Sequence, residues 1–199
     1  MAPGRFYRLA WALYLGMALA GVVWIGLREG IIPLALFIDP RQWWLDLLLG
    51  LGAAALLLGV WTAAERALPQ ARDLEAQIAE LLGPLRRSEA IGLAVLSGFA
   101  EELFFRGALQ GAIDGVGGWL AASVIFGLVH TGPGREFRLW TLFALTAGFL
   151  LGGLMVWRGN LLAPVIAHFA VNAVNLSRLA AQGDSGRLAR GNAEGEKES

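Results

Sequence analysis

Glu101, Glu102 and Arg106 stand inside an apolar run from Ile91 to Ile113, in the stretch SGFAEELFFRGALQ. A charge near the centre of a membrane helix costs roughly 2.5–3.5 kcal/mol on insertion scales, so three in one segment need partners or a task. Glu102 and Arg106 are four residues apart with the acid first, the favourable order for a helical ion pair. Glu101 lies about 100° around the helix from Glu102, so its carboxylate is left to face elsewhere. Two further apolar segments carry the only histidines. His130 closes FGLVH (Phe126–His130), and His168 opens HFAVN (His168–Asn172). The four-residue spacing of His168 and Asn172 puts both on one helical face.

These residue types suit hydrolysis. A carboxylate can take a proton from water while an imidazole holds that water in line. A second imidazole and an amide N–H can donate to the oxyanion of a tetrahedral intermediate. Glu101 and His130 fit the first role, His168 and Asn172 the second. A metal is the competing account: Glu101, His130 and His168 with a water would match a catalytic zinc shell, although the helical HExxH spacing is absent. The residues leave both open. A purely structural triad gluing helices together is the bland alternative for the first segment. It fits less well once five polar side chains are spread over three apolar helices, because the least costly arrangement turns them into one interior cavity. Glu101, His130 and His168 are then expected within one water's reach of each other.

The elements that must position them are helices. The chain has 199 residues, 56% of them hydrophobic, no cysteine and no formal net charge. The length suits one domain, and several runs approach the roughly 20 residues that span a bilayer. The expected fold is all-α, a polytopic membrane bundle of about six transmembrane helices plus one amphipathic surface helix. The spans read as 7–27, 42–63, 88–112, 119–130, 137–157 and 161–180, with Ser88 as N-cap of the third. Turns are expected at Asp114-Gly115 and at Gly132-Pro133-Gly134. Residues 1–180 form the membrane domain, and 181–199 read as a disordered polar tail. Most of the eight tryptophans fall near the ends of apolar runs, as interface anchors do. Between the second and third spans, Leu74, Ile78, Leu81 and Leu82 mark one face of a helix. A connector lying on the headgroups is the commoner meaning of such a helix, a guard at an entrance the functional one. Glycines at four-residue spacing (Gly107, Gly111, Gly115; Gly148, Gly152) fit close packing within the bundle or a dimer face, the former being commoner.

Composition also excludes functions. Without cysteine there is no thiol catalysis, disulfide or thiolate metal site, and no basic stripe points to nucleic acid. Ala18-Leu19-Ala20 is like a signal-peptidase site, but the apolar run continues past it, so a retained first helix is expected. With six spans, one side receives 12 of the 16 basic residues, which puts both termini in the cytoplasm.

EELFFR (Glu101–Arg106), FGLVH and HFAVN together resemble the CAAX-protease and bacteriocin-processing family of intramembrane endopeptidases, related to the type II CAAX prenyl endopeptidases. The flanking Arg106–Gln110 and Asn160–Pro164 are also similar, and the resemblance covers about residues 88–176. It implies a membrane protease acting near a substrate C-terminus or within a membrane-embedded or lipidated peptide. Glu101 and His130 would activate water, His168 and Asn172 would form the oxyanion site, and Glu102, Arg106 and Phe126 would support them. The family is described both as metal-dependent and as metal-independent, so zinc stays open as a cofactor. The chain's length resembles prokaryotic members, which implies a prokaryotic plasma membrane and puts a prenylated substrate in question. The readings from other classes are a non-catalytic bacteriocin-immunity or peptide- and lipid-binding protein, and a transporter.

Overall fold

The computed structural model describes the backbone of residues 5–195 apart from Pro84, Asp114, Pro133 and Glu136, and the side chains of residues 7–181 apart from those four, Glu80 and Leu81. Asp114 and Pro133, from the two expected turns, and the side chain of Leu81, from the expected apolar face, thus lie outside the described residues. Among the described residues seven α-helices follow in order: α1 (Arg5–Glu29), α2 (Trp43–Ala67), α3 (Pro69–Leu82), α4 (Arg87–Glu102), α5 (Gly115–Val129), α6 (Phe137–Arg158) and α7 (Leu162–Gly195). A single 3-10 turn, Leu34–Leu36, sits between α1 and α2, and a π-helical segment, Leu103–Gln110, continues α4. No strand occurs among the described residues.

Among the described residues three helices are long and apolar enough to cross a membrane: Tyr7–Glu29, Trp43–Ala67 and Phe137–Arg158. α5 is apolar but only 15 residues long, while α4 and α7 carry the polar residues. Outward-facing Leu13, Leu19, Leu56, Leu142 and Val156 are exposed, an apolar surface that belongs against lipid rather than water. Inside, the bundle packs through small residues. A Cβ on Gly50 would stand 2.8 Å from the Ala163 carbonyl, and one on Gly98 would stand 2.9 Å from the Phe169 amide. These two glycines let α2 and α4 close on α7. Gly148 faces Ser123, and Gly152 faces Trp119 and Gln110, so the four-residue glycine spacing of α6 serves packing within the bundle.

Several expectations are corrected. Arg86, not Ser88, caps α4, and its N–H donates to the Glu89 carboxylate at 2.8 Å. α7 is helical to Gly195, which takes in most of residues 181–199. Trp61 is buried, and its ring meets Trp140 and Phe143 at 6.1 and 5.1 Å. That pair belongs to the interior, whereas Trp43, Trp44 and Trp157 are exposed near helix ends. α3 does not simply lie on headgroups. Its Leu74 is fully buried against Leu57, Trp61, Phe143 and Val171, so the helix is plugged into the bundle by its apolar face.

Candidate active site

The π-helical segment begins immediately after Glu102 and contains Arg106 and Gln110. A π turn widens the helix and is frequent at functional sites. Here Arg106 Nη2 donates to the Gly148 carbonyl at 3.3 Å and Gln110 Nε2 to the Gly152 carbonyl at 3.0 Å. Two side chains four residues apart thus meet two carbonyls four residues apart on α6. Arg106 Nε lies 3.1 Å from Glu102 Oε2, both side chains buried. The angle is that of an ion pair rather than an aligned hydrogen bond, since Glu102 Oε2 has no hydrogen-bond partner. The other Glu102 oxygen meets His168 Nδ1 at 2.7 Å. Glu102 therefore binds α7 and the π segment together.

Glu101 turns away from that pair, as its position on the helix requires. Its Oε2 is buried without a hydrogen-bond partner, 3.6 Å from His130 Nε2 and 4.0 Å from His168 Nε2. Both gaps are too long for a direct hydrogen bond. A water about 2.8 Å from two of these atoms would subtend roughly 80–90° between them, close to its own bond angle. The expected convergence of the acid and both imidazoles is thus the observed geometry.

The tautomers follow from the partners. His130 Nδ1 is 2.7 Å from the Phe126 carbonyl, which can only accept, so Nδ1 carries the proton and a neutral ring presents the Nε2 lone pair to Glu101. The Phe126 carbonyl is in the last turn of α5, where carbonyls lack a helical partner, so the helix end itself orients the histidine. His168 Nδ1 likewise donates to the Glu102 carboxylate. Phe126 is the apolar hub: Arg106 Cζ lies 4.4 Å from its ring centroid, and the His130 and His168 rings lie at 4.5 and 5.9 Å. Asn172 Nδ2 donates to Ser97 Oγ at 2.9 Å. Ser97 stands one turn before Glu101, so Ser97 with Asn172 and Glu102 with His168 form successive rungs between α4 and α7.

Sequence reasoning missed Ser97 and Tyr14. Ser97 had a signal, because it shares a face with Glu101 at four-residue spacing. Tyr14 of α1 had none beyond being a hydroxyl inside an apolar span. Both line a cavity of about 320 Å3 that also contains Glu101, His130, His168 and Asn172. Its walls are largely apolar, with Trp61, Phe143, Ala144 and Leu151 among them, and it extends to Glu65 of α2 and to Glu75, Ile78 and Leu82 of α3. The depth of Glu101, 13 residues past Ser88 or roughly 20 Å of helix, is thereby reached through a recess. As a metal shell, Glu101, His130 and His168 fit by donor type but not by spacing. Their 3.6 and 4.0 Å separations exceed the roughly 3.3 Å edges of a tetrahedron with zinc bonds of about 2.0–2.1 Å. Among the described residues no group of three such ligands is arranged to hold a metal ion.

A family model described as type II CAAX prenyl endopeptidase Rce1-like matches residues 86–174. This region of the chain is similar to that family. The uncharacterized protein YpbD of Bacillus subtilis (strain 168) is 44% identical over 86 residues, 42% of this chain and 42% of that protein. The matched stretch is therefore well under two thirds of the relative's length. No solved structure gives a significant match. The Rce1-like region supplies Glu101, Glu102, Arg106, Phe126, His130, His168 and Asn172, whereas α1, α2 and α3 lie outside it and complete the cavity.

Proposed function

We propose that the chain is an intramembrane endopeptidase that hydrolyses a peptide bond in a membrane-associated or C-terminal, CAAX-like substrate. The observation that carries this reading is the Glu101 oxygen, buried without a hydrogen-bond partner and flanked by two imidazole Nε2 atoms at 3.6 and 4.0 Å. A water there donates one hydrogen to Glu101 and the other to His130 Nε2. Glu101 takes the proton as the oxygen attacks the substrate carbonyl, and later gives it to the departing amine. Asn172 uses one Nδ2 hydrogen on Ser97 and has a second for the oxyanion. His168 can donate from Nε2 only as an imidazolium, because Nδ1 already serves Glu102. Two carboxylates, Glu101 and Glu102, against one guanidinium, Arg106, leave a negative balance that accommodates that charge. The apolar walls receive hydrophobic substrate groups and keep bulk water from the intermediate. The match of residues 86–174 to the Rce1-like family supports the reaction class. Both termini in the cytoplasm of a prokaryotic cell is the orientation favoured by the distribution of basic residues.

The test is cleavage of a fluorogenic peptide library by purified protein in liposomes. Wild type cleaves, and Glu101→Gln lowers turnover at least roughly 10²-fold, the scale on which general-base catalysis contributes, while peptide binding persists. Activity retained in Glu101→Gln removes the base from the mechanism. Metal analysis with chelation decides whether a zinc ion assists. Binding without cleavage in wild type would mark a peptide- or lipid-binding protein, and substrate-dependent flux a transporter.

A further inference from the structure

α1 meets the bundle along one stripe. Tyr7, Trp11, Tyr14, Ala18, Gly21 and Ile25 recur at alternating steps of four and three, the signature of a single helical face. Tyr7 and Trp11 pack against Ala90 and Leu93 of α4. At Gly21 a Cβ would stand 3.3 Å from the Leu103 side chain and 3.4 Å from the Phe104 backbone, and Ile25 is fully buried. Tyr14 sits midway between these anchors, so its phenol is delivered to α4 at the level of the site. It lines the same cavity as Glu101, near enough for its hydroxyl to feel the Glu101 carboxylate.

The neighbouring donors are engaged elsewhere. Arg106 is paired with Glu102, His168 Nδ1 with Glu102, His130 Nδ1 with the Phe126 carbonyl, and Asn172 with Ser97. A buried carboxylate needs a donor to hold it in one orientation. We propose that Tyr14 is a positioning residue whose hydroxyl donates to Glu101 and fixes that carboxylate so that Oε2 faces His130 and His168. The proposal rests on the reading of Glu101 as the base, and it draws α1, outside the Rce1-like region, into the site.

The chain has two tyrosines, so protein labelled with carbon-13 at tyrosine Cζ gives two magnetic-resonance signals, and Tyr14→Phe identifies one of them by deletion. Glu101→Gln is expected to move the Tyr14 signal and leave that of Tyr7 in place. In the peptide assay Tyr14→Phe lowers kcat by roughly 10- to 100-fold, the usual scale for a residue that orients a catalytic group, with KM held within about twofold; Tyr7→Phe changes neither. A Tyr14 signal indifferent to Glu101→Gln overturns the proposal whatever the assay gives. A shifted signal with kcat unchanged in Tyr14→Phe overturns it as well. Wild-type protein that cleaves nothing, with the Tyr14 signal still moving, fails the endopeptidase reading and leaves the hydrogen bond standing.

Discussion

Glu102 is fully buried between the Arg106 guanidinium and the His168 imidazole, whereas Glu101, one residue earlier, keeps an oxygen free of hydrogen bonds. The two carboxylates should therefore answer differently to the same substitution. Glu102→Gln leaves Arg106 buried without its counter-charge, and breaking such a pair costs about 3–5 kcal/mol. Glu101→Gln breaks no ion pair with a fixed cation and should melt close to wild type. Thermal unfolding in detergent checks this, and equal losses in both variants would show that the division of labour is wrong. The division was readable from the sequence, since helical phase alone separates the two side chains. The partner of Asn172 was not readable, because a donor from α7 could as well have met any polar group of α4 on that level.

At the scale of elements, the site depends on how closely α4 approaches α7. Gly98 lies one turn before Glu102 and touches the backbone of Phe169, the residue after His168. A methyl group there meets main chain, which cannot rotate aside. Gly98→Ala should cost about 1–3 kcal/mol and also lower kcat/KM, because the helices carrying Glu102 and His168 are pushed apart. Unchanged activity with unchanged melting would refute the close contact. Helix limits were largely visible in the hydropathy pattern. The π segment was not, since its sequence LFFRGALQ reads equally well as α-helix. Nor was the role of α3, because an apolar stripe states that a face is covered without saying whether lipid or protein covers it.

On the scale of the molecule, a second polar cluster closes the bundle at the other end of α6. Asp46 of α2 is fully buried; Arg158 at the end of α6 donates to one of its carboxylate oxygens, and Asn160 donates to the other at 3.0 Å. Asn160 also accepts from the Leu162 amide at 2.9 Å, starting α7. This latch fixes the origin of α7 at Leu162, six residues before His168, or about 9 Å along the helix. The proposed orientation is tested by single cysteines in a chain that otherwise has none. Ala35→Cys, in the loop before α2, should react with a membrane-impermeant maleimide on intact cells. Ala76→Cys, on the exposed face of α3, should react only after permeabilisation. The reverse pattern would invert the topology.

The sequence by itself determined that apolar helices had to form and that Glu101, Glu102, Arg106, His130, His168 and Asn172 had to be drawn inward. Both follow from the cost of leaving backbone and charged groups unsatisfied in hydrocarbon. Only the tertiary structure decided which atom faces which: the histidine tautomers, the Ser97–Asn172 rung, the plug made by α3 and the reach of Tyr14. Periodicity is a property of one helix, whereas these contacts depend on the rotation and separation of two, and those are set by glycines such as Gly50 and Gly98 meeting a neighbouring backbone.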